Sequence, residues 1–306
     1  MPPRARVISD NDYCGDPDGL VQLAHHLLCP SVDIRAVVGS PPAPRDPAAD
    51  GTPAVASVAA ARVVADLAGR ADVPILAGAD EGLIDPMQPR SSEGAAAIVS
   101  EAMRDDTDVP LFVACGGGLT SIASAWLTEP AIAARLTLVW IGGREHPDLA
   151  VPADEELGLE YNASIDPVAA EVVFNRSDLR LWQIPRDVYR QVLASRSELL
   201  VRMAPHGELG RHLFDALART TDLLNGWGVH MGETYILGDS PLVLLTALLS
   251  NFHPAPSSSR WVDRPRPRLS ADGSYEPTDD GPPMRIFTQL DTRLVLEDLD
   301  AKLALR

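Results

Sequence analysis

Residues 7 to 28 read VISDNDYCGDPDGLVQLAHHLL and set four aspartates, Asp10, Asp12, Asp16 and Asp18, between a strand and a helix. Val7, Ile8 and Ser9 read as a short buried strand, while Leu20, Leu23, Ala24 and Leu27 recur at helical spacing. Gly15 permits the tight turn that joins the two, and Pro17 stiffens it. Carboxylates this crowded repel one another unless something neutralises them. The free amides of a helix N-terminus offset one or two, as an N-cap with a solvated turn would. A hard cation offsets more, so the loop is read as a metal or polyol site.

The same strand-to-helix alternation continues along the chain. Residues 32–38, 73–78, 109–115, 136–143 and 179–185 read as strands. Residues 54–69, the stretch from about Glu93, the residues after the glycine run 116–118, and 167–175 read as helices. Residues 186–250 are mostly helical, and MRIFTQL and RLVLEDLDAKLAL supply a late strand and a closing helix. This pattern predicts an α/β fold with a mainly parallel open sheet and helices on both faces. One domain is expected over 1–306, with a loop-rich C-terminal part at 251–306. The stretches 40–53 and 253–283 are rich in proline and read as long loops, the first an active-site flap or a plain surface loop.

A formal charge of −17 argues against a nucleic-acid or acidic-membrane surface. Cys14, Cys29 and Cys115 fit neither a zinc site nor a disulfide framework. No signal peptide or membrane-spanning run is visible, so a cytoplasmic location is expected.

Parallel sheets collect their ligands at the carboxyl edge of the strands. The turns at 10–18, 115–120, 142–166 and 238–241 fall there. They would bring Asp12, Asp16, Asp18, Glu160, Asn162, Asp166 and Asp239 into one oxygen-rich pocket. Such donors favour Ca²⁺ or Mg²⁺ over zinc, and would equally bind the hydroxyls of a sugar. The glycine run 116–118 lacks the lysine of a P-loop and the spacing of a dinucleotide site. It suits a tight turn, or close backbone approach with a carbonyl turned toward a cation.

These residues carry a resemblance. DNDYCGDPDGL resembles the DxDxGxDDA opening of the nucleoside hydrolase family, the calcium-dependent N-ribohydrolases. GGGLTSIASAWLTEP is similar to that family's GPLTN or GGLTN helix start, VWIGG to its strand ending in MGG, EYNASIDPVAA to EFNxxxDPEAA, and GDSPLVLLTAL to HDPLAV. The five blocks occur in family order, and the tail from 251 resembles only a divergent nucleoside-hydrolase-like branch. The resemblance implies a Rossmann-like architecture, a Ca²⁺ cofactor, a small-molecule riboside or furanoside as partner, and a homodimer or homotetramer.

It also implies roles. Asp12 would bind calcium and activate the attacking water. Asp18 and Asp239 would be further calcium ligands, joined by a backbone carbonyl at Gly116. Asp16 would hold the sugar 2-hydroxyl, and Glu160 and Asn162 the 5- and 3-hydroxyls. Pro17 stands where the family has the first of its paired aspartates, so Asp16 and Asp18 could exchange jobs. Gly238 replaces the histidine that can protonate a leaving base. His230 is then the first candidate for catalytic acid, with His253 and Tyr235 behind it, and Trp227 reads as a core residue or a stacking platform. The expected activity is inverting, calcium-dependent hydrolysis of an N-riboside. The alternatives are an O- or C-linked furanoside hydrolase, a non-catalytic sugar-binding or scaffold protein, and a phosphatase-like Mg²⁺ enzyme.

Overall fold

A computed structural model describes residues 3–150, 158–250, 252 and 255–306. The chain opens β1 (Ala5–Asn11), α1 (Asp18–Leu27), β2 (Val32–Gly39), α2 (Pro53–Leu67), β3 (Ile75–Ala77), α3 (Glu93–Ala102), β4 (Leu111–Cys115), α4 (Thr120–Thr128) and β5 (Leu136–Ile141). It continues with α5 (Tyr161–Ile165), α6 (Pro167–Glu171), β6 (Arg180–Ile184), α7 (Arg186–Tyr189), β7 (Leu193–Ser195), α8 (Arg196–Arg202), α9 (Gly207–Gly226), β8 (Thr234–Ile236) and α10 (Pro241–Thr246). The last part holds β9 (Arg260–Pro265), β10 (Arg268–Leu269), β11 (Tyr275–Glu276), β12 (Pro283–Gln289) and α11 (Thr292–Ala304). Eight strands form the main sheet in the order β3-β2-β1-β4-β5-β6-β12-β9. Its pairs are parallel except the last, where β9 runs antiparallel to β12.

Alternation within the strands feeds two cores. Val7, Val37 and Ala114 face one, where α1, α2, α9, α10 and α11 pack. Ile8, Val38 and Val113 face the other, where α3, α4 and α6 pack. The doubly covered sheet therefore follows from side chains that switch face at every residue. No helix among the described residues is long and apolar enough to cross a membrane.

Three sequence expectations need correction. Strand β1 extends to Asn11, so Asp10 lies in the sheet, where it accepts from Ser40 Oγ at 2.5 Å. The expected helix over 167–175 gives way after Glu171 to a π-helical turn, Val172–Arg176. There the fully buried guanidinium of Arg266 donates to the carbonyls of Val173, Ser177 and Leu179, groups that a straight α-helix would not present together. The stretch 253–283 is no simple loop, because it carries β9, β10 and β11. Strand β9 (RWVDRP) shows no clean apolar alternation because, as the sheet edge, it is mostly exposed.

Candidate active site

The carboxyl ends of β1, β4 and β5, with the start of α10, converge on a cavity of about 610 Å³. The β1–α1 loop contributes Asp12, Asp16 and Asp18, and the turn before α10 contributes Gly238 and Asp239. Gly116 follows β4, and Glu160 and Asn162, at the start of α5, lie beside it.

All of these polar side chains except Asp12 are held by named partners. Asn11 ties two loops together: its Nδ2 donates to Asp239 Oδ2 at 2.8 Å, and its Oδ1 accepts from the Asp12 amide at 2.9 Å. Asp18 Oδ2 accepts from the Asp239 amide at 3.0 Å, and Asp16 Oδ1 from the Tyr235 hydroxyl at 2.7 Å. Glu160 accepts from the Gly143 amide at 2.7 Å, from the Ala163 amide at 3.1 Å and from the Tyr189 hydroxyl at 2.9 Å. Gly143 has φ +84, a conformation that costs glycine little and turns its amide to that carboxylate. Asn162 Nδ2 donates to the carbonyls of Gly116 and Ile141, both at 2.8 Å.

The electrostatics are those of carboxylates with too little positive charge. Burial pushes Asp12 well above the usual carboxyl range, with Asp239 and Asp16 adding repulsion. Burial raises Asp18 likewise, and Asp239 reaches about 7 although Asn11 pulls it down. Glu160 and Asp16 are also raised by burial, against the hydrogen bonds they accept.

The residues fit a hard divalent cation. Asp12 Oδ2 is buried and accepts no hydrogen bond. A methyl group at Gly116 would come within 2.8 Å of Asp239 Oδ1, and one at Gly15 within 2.9 Å of Asp12 Oδ2. The carboxylates around this space offer oxygen donors, the kind a hard cation takes, and the Asn11 amide nitrogen lies nearest to Gly116. Among the described residues, the one group of three His, Cys, Asp or Glu side chains with ligand atoms within 4.8 Å of one another lies elsewhere, at His25, Cys29 and Asp298. There Lys302 already supplies the positive charge, donating to Cys29 Sγ at 3.0 Å and to Asp298.

The family model for inosine-uridine preferring nucleoside hydrolase matches residues 7–248. The chain belongs to this family. Inosine-uridine preferring nucleoside hydrolases of Crithidia fasciculata and Leishmania major are 32% and 29% identical to it over 166 and 158 residues. Each alignment covers 44% of this chain and 48% of the relative, so the match spans about half of their length. Among solved structures, the plant nucleoside hydrolase PpNRh1 superposes with a TM-score of 0.74 at 18% identity, covering 99% of this chain and 100% of that one. The purine-preferring ribonucleoside hydrolase from Gardnerella vaginalis gives 0.71 at 19% identity, covering 98% of each chain. At these identities the two structures establish the nucleoside hydrolase fold.

Within this nucleoside hydrolase fold, Asp12, Asp16, Asp18, Gly116, Glu160, Asn162 and Asp239 share one cavity. Asp166 does not join them. Its carboxylate accepts from Thr120 Oγ1 at 2.7 Å, the Leu83 amide at 2.8 Å and the Ala169 amide at 2.9 Å, so it braces three segments behind the wall. His230 is exposed and does not line the cavity, because Gly228, with φ +83, turns the chain away after α9. Tyr235 is buried and committed to Asp16, and His253 lies outside the described residues. Trp227 is not a core residue: it is 57% exposed and stands at the cavity wall with Leu223 and Leu224. Sequence reasoning missed Tyr189, and Asp46, which accepts from the Tyr161 hydroxyl at 2.9 Å. Asp46 sits in the stretch 40–53, one of two acidic residues there with Asp50. Tyr189 carries no local signal.

Proposed function

We propose that this chain hydrolyses the N-glycosidic bond of a ribonucleoside or related riboside in a calcium-dependent, inverting single displacement. The observation that carries the reading is the shared cavity lined by Asp12, Asp16, Asp18, Glu160, Asn162 and Asp239, with one Asp12 carboxylate oxygen buried and unpartnered. Asp12, Asp18, Asp239 and the Gly116 carbonyl would hold Ca²⁺. When bound, calcium supplies the charge that keeps these carboxylates ionised and makes a nearby water more acidic. Asp12 takes that water's proton as general base. Asp16, Glu160 and Asn162 hold the sugar hydroxyls, and ionised carboxylates favour the oxocarbenium-like charge that develops as the bond breaks. The position of Gly238 on the wall, in place of a proton donor, favours a second reading in which an O-linked furanoside with a good leaving group is cleaved.

The test is ribose release from inosine, uridine and nitrophenyl riboside, with calcium and with a chelator. Calcium-dependent release from either nucleoside is expected; release from the nitrophenyl substrate alone would favour the second reading. His230→Ala should leave every rate unchanged, because that side chain points to solvent; a loss confined to the nucleosides would restore it as the acid. Asn162→Leu should cost about 1–3 kcal/mol of transition-state stabilisation, since a buried hydroxyl and two carbonyls lose their donor. Comparing kcat/KM across aglycones checks this, and a loss that depends on the aglycone would remove Asn162 from the sugar site.

A further inference from the structure

Other residues of the cavity lining have a different chemistry. The last turns of α9 supply Leu223, Leu224 and Trp227, and the flap supplies Pro47 and Ala48. Six carboxylates line the cavity, from Asp12, Asp16, Asp18, Asp46, Glu160 and Asp239, and no lysine, arginine or histidine does so among the described residues. The tyrosine hydroxyls that reach it are already donating, Tyr161 to Asp46 and Tyr189 to Glu160. Arg45 lies over the Tyr161 ring, 5.8 Å from its centroid, and is not part of the lining.

A neutral nucleobase gains from a proton as it departs, and no lysine, arginine or histidine of the lining is there to give one. An aglycone that already carries a positive charge needs no proton. Its charge is attracted by the carboxylates that remain after one divalent cation is bound, and by the face of an aromatic ring. Trp227, largely exposed at the rim, offers such a face.

Resting on the riboside-hydrolase reading, we propose that the preferred substrates are cationic N-ribosides of the pyridinium type, with the ring set against Trp227. The oxygen of water bonds to C1′ while the C1′–N bond breaks. The bonding pair passes to the ring nitrogen, which leaves as a neutral pyridine, and the proton of the water goes to Asp12. Charge and atoms balance with no acid.

The experiment measures kcat and KM of the calcium-loaded full chain on nicotinamide riboside, inosine and uridine, with Asp12→Asn as the blank for spontaneous hydrolysis. Nicotinamide riboside should exceed both nucleosides in kcat/KM by about tenfold or more. Trp227→Leu, at an exposed position that the fold does not need, should raise KM for nicotinamide riboside roughly three- to thirtyfold and change KM for the nucleosides less. Inosine or uridine cleaved as well as nicotinamide riboside would overturn this inference and leave the parent reading standing. An equal effect of Trp227→Leu on all three would also overturn it. Failure to cleave any of the three would overturn the parent reading itself.

Discussion

Asp12→Asn should lower kcat/KM by at least about a hundredfold while the protein stays folded, because the substitution removes a metal ligand and the general base together. Folding is spared for a reason visible in the site. Asp12 Oδ2 is buried without a hydrogen-bond partner, and its charge is opposed by Asp239 and Asp16. An amide of the same shape removes that repulsion, which offsets lost coordination. Circular dichroism would establish the fold and a ribose-release assay the activity. An asparagine variant with full activity would end the mechanism.

The calcium-free protein should lose stability as pH rises from about 4 to about 7, the reverse of ordinary acid denaturation. Asp239 is raised to about 7 and Asp10 to about 6, in both cases first by burial, and Asp12 and Asp18 shift the same way. Raised carboxyls hold their protons more tightly in the folded state than in the unfolded chain. The stabilisation they give is complete below the unfolded value and disappears as pH passes through the folded one. Asp239, moving from 3.8 to about 7, contributes to this slope together with its acidic neighbours. Calcium binds the ionised form, so its stabilising effect should be small near pH 4 and largest above about 7. Melting temperatures with calcium and with chelator across this range would check it. A chelator-treated protein that melts highest at neutral pH would count against the acidic cation site.

The acidic loop, the glycine turn at 116–118 and the EYN turn were legible because each breaks a rule that an ordinary connector obeys. Crowded carboxylates, a run of small residues at a strand end and a polar turn before a helix all require a local reason. The order of these turns along a βα alternation then placed them at one edge. Asp166 misled because a carboxylate at a helix start serves equally as a cap, and here that is its work. Tyr189 was invisible because it reaches Glu160 through the docking of α7 after β6, which no spacing encodes. Of the two readings of Trp227, the core one fell because a tryptophan ending an amphipathic helix reads as core until its exposure at the cavity is known.

The strands beyond residue 248 have a consequence for self-association. Strand β12 pairs with β6, and β9 with β12, so a chain cut after α10 would bare the edge of β6, whose pairing groups then invite aggregation. Among the described residues the main sheet ends on β9, which carries Arg260, Asp263, Arg264 and Pro265, and at its other side on the three-residue β3. Charge and proline block one border and brevity the other. Among the described residues, both borders of the main sheet therefore disfavour edge-to-edge extension by a second copy.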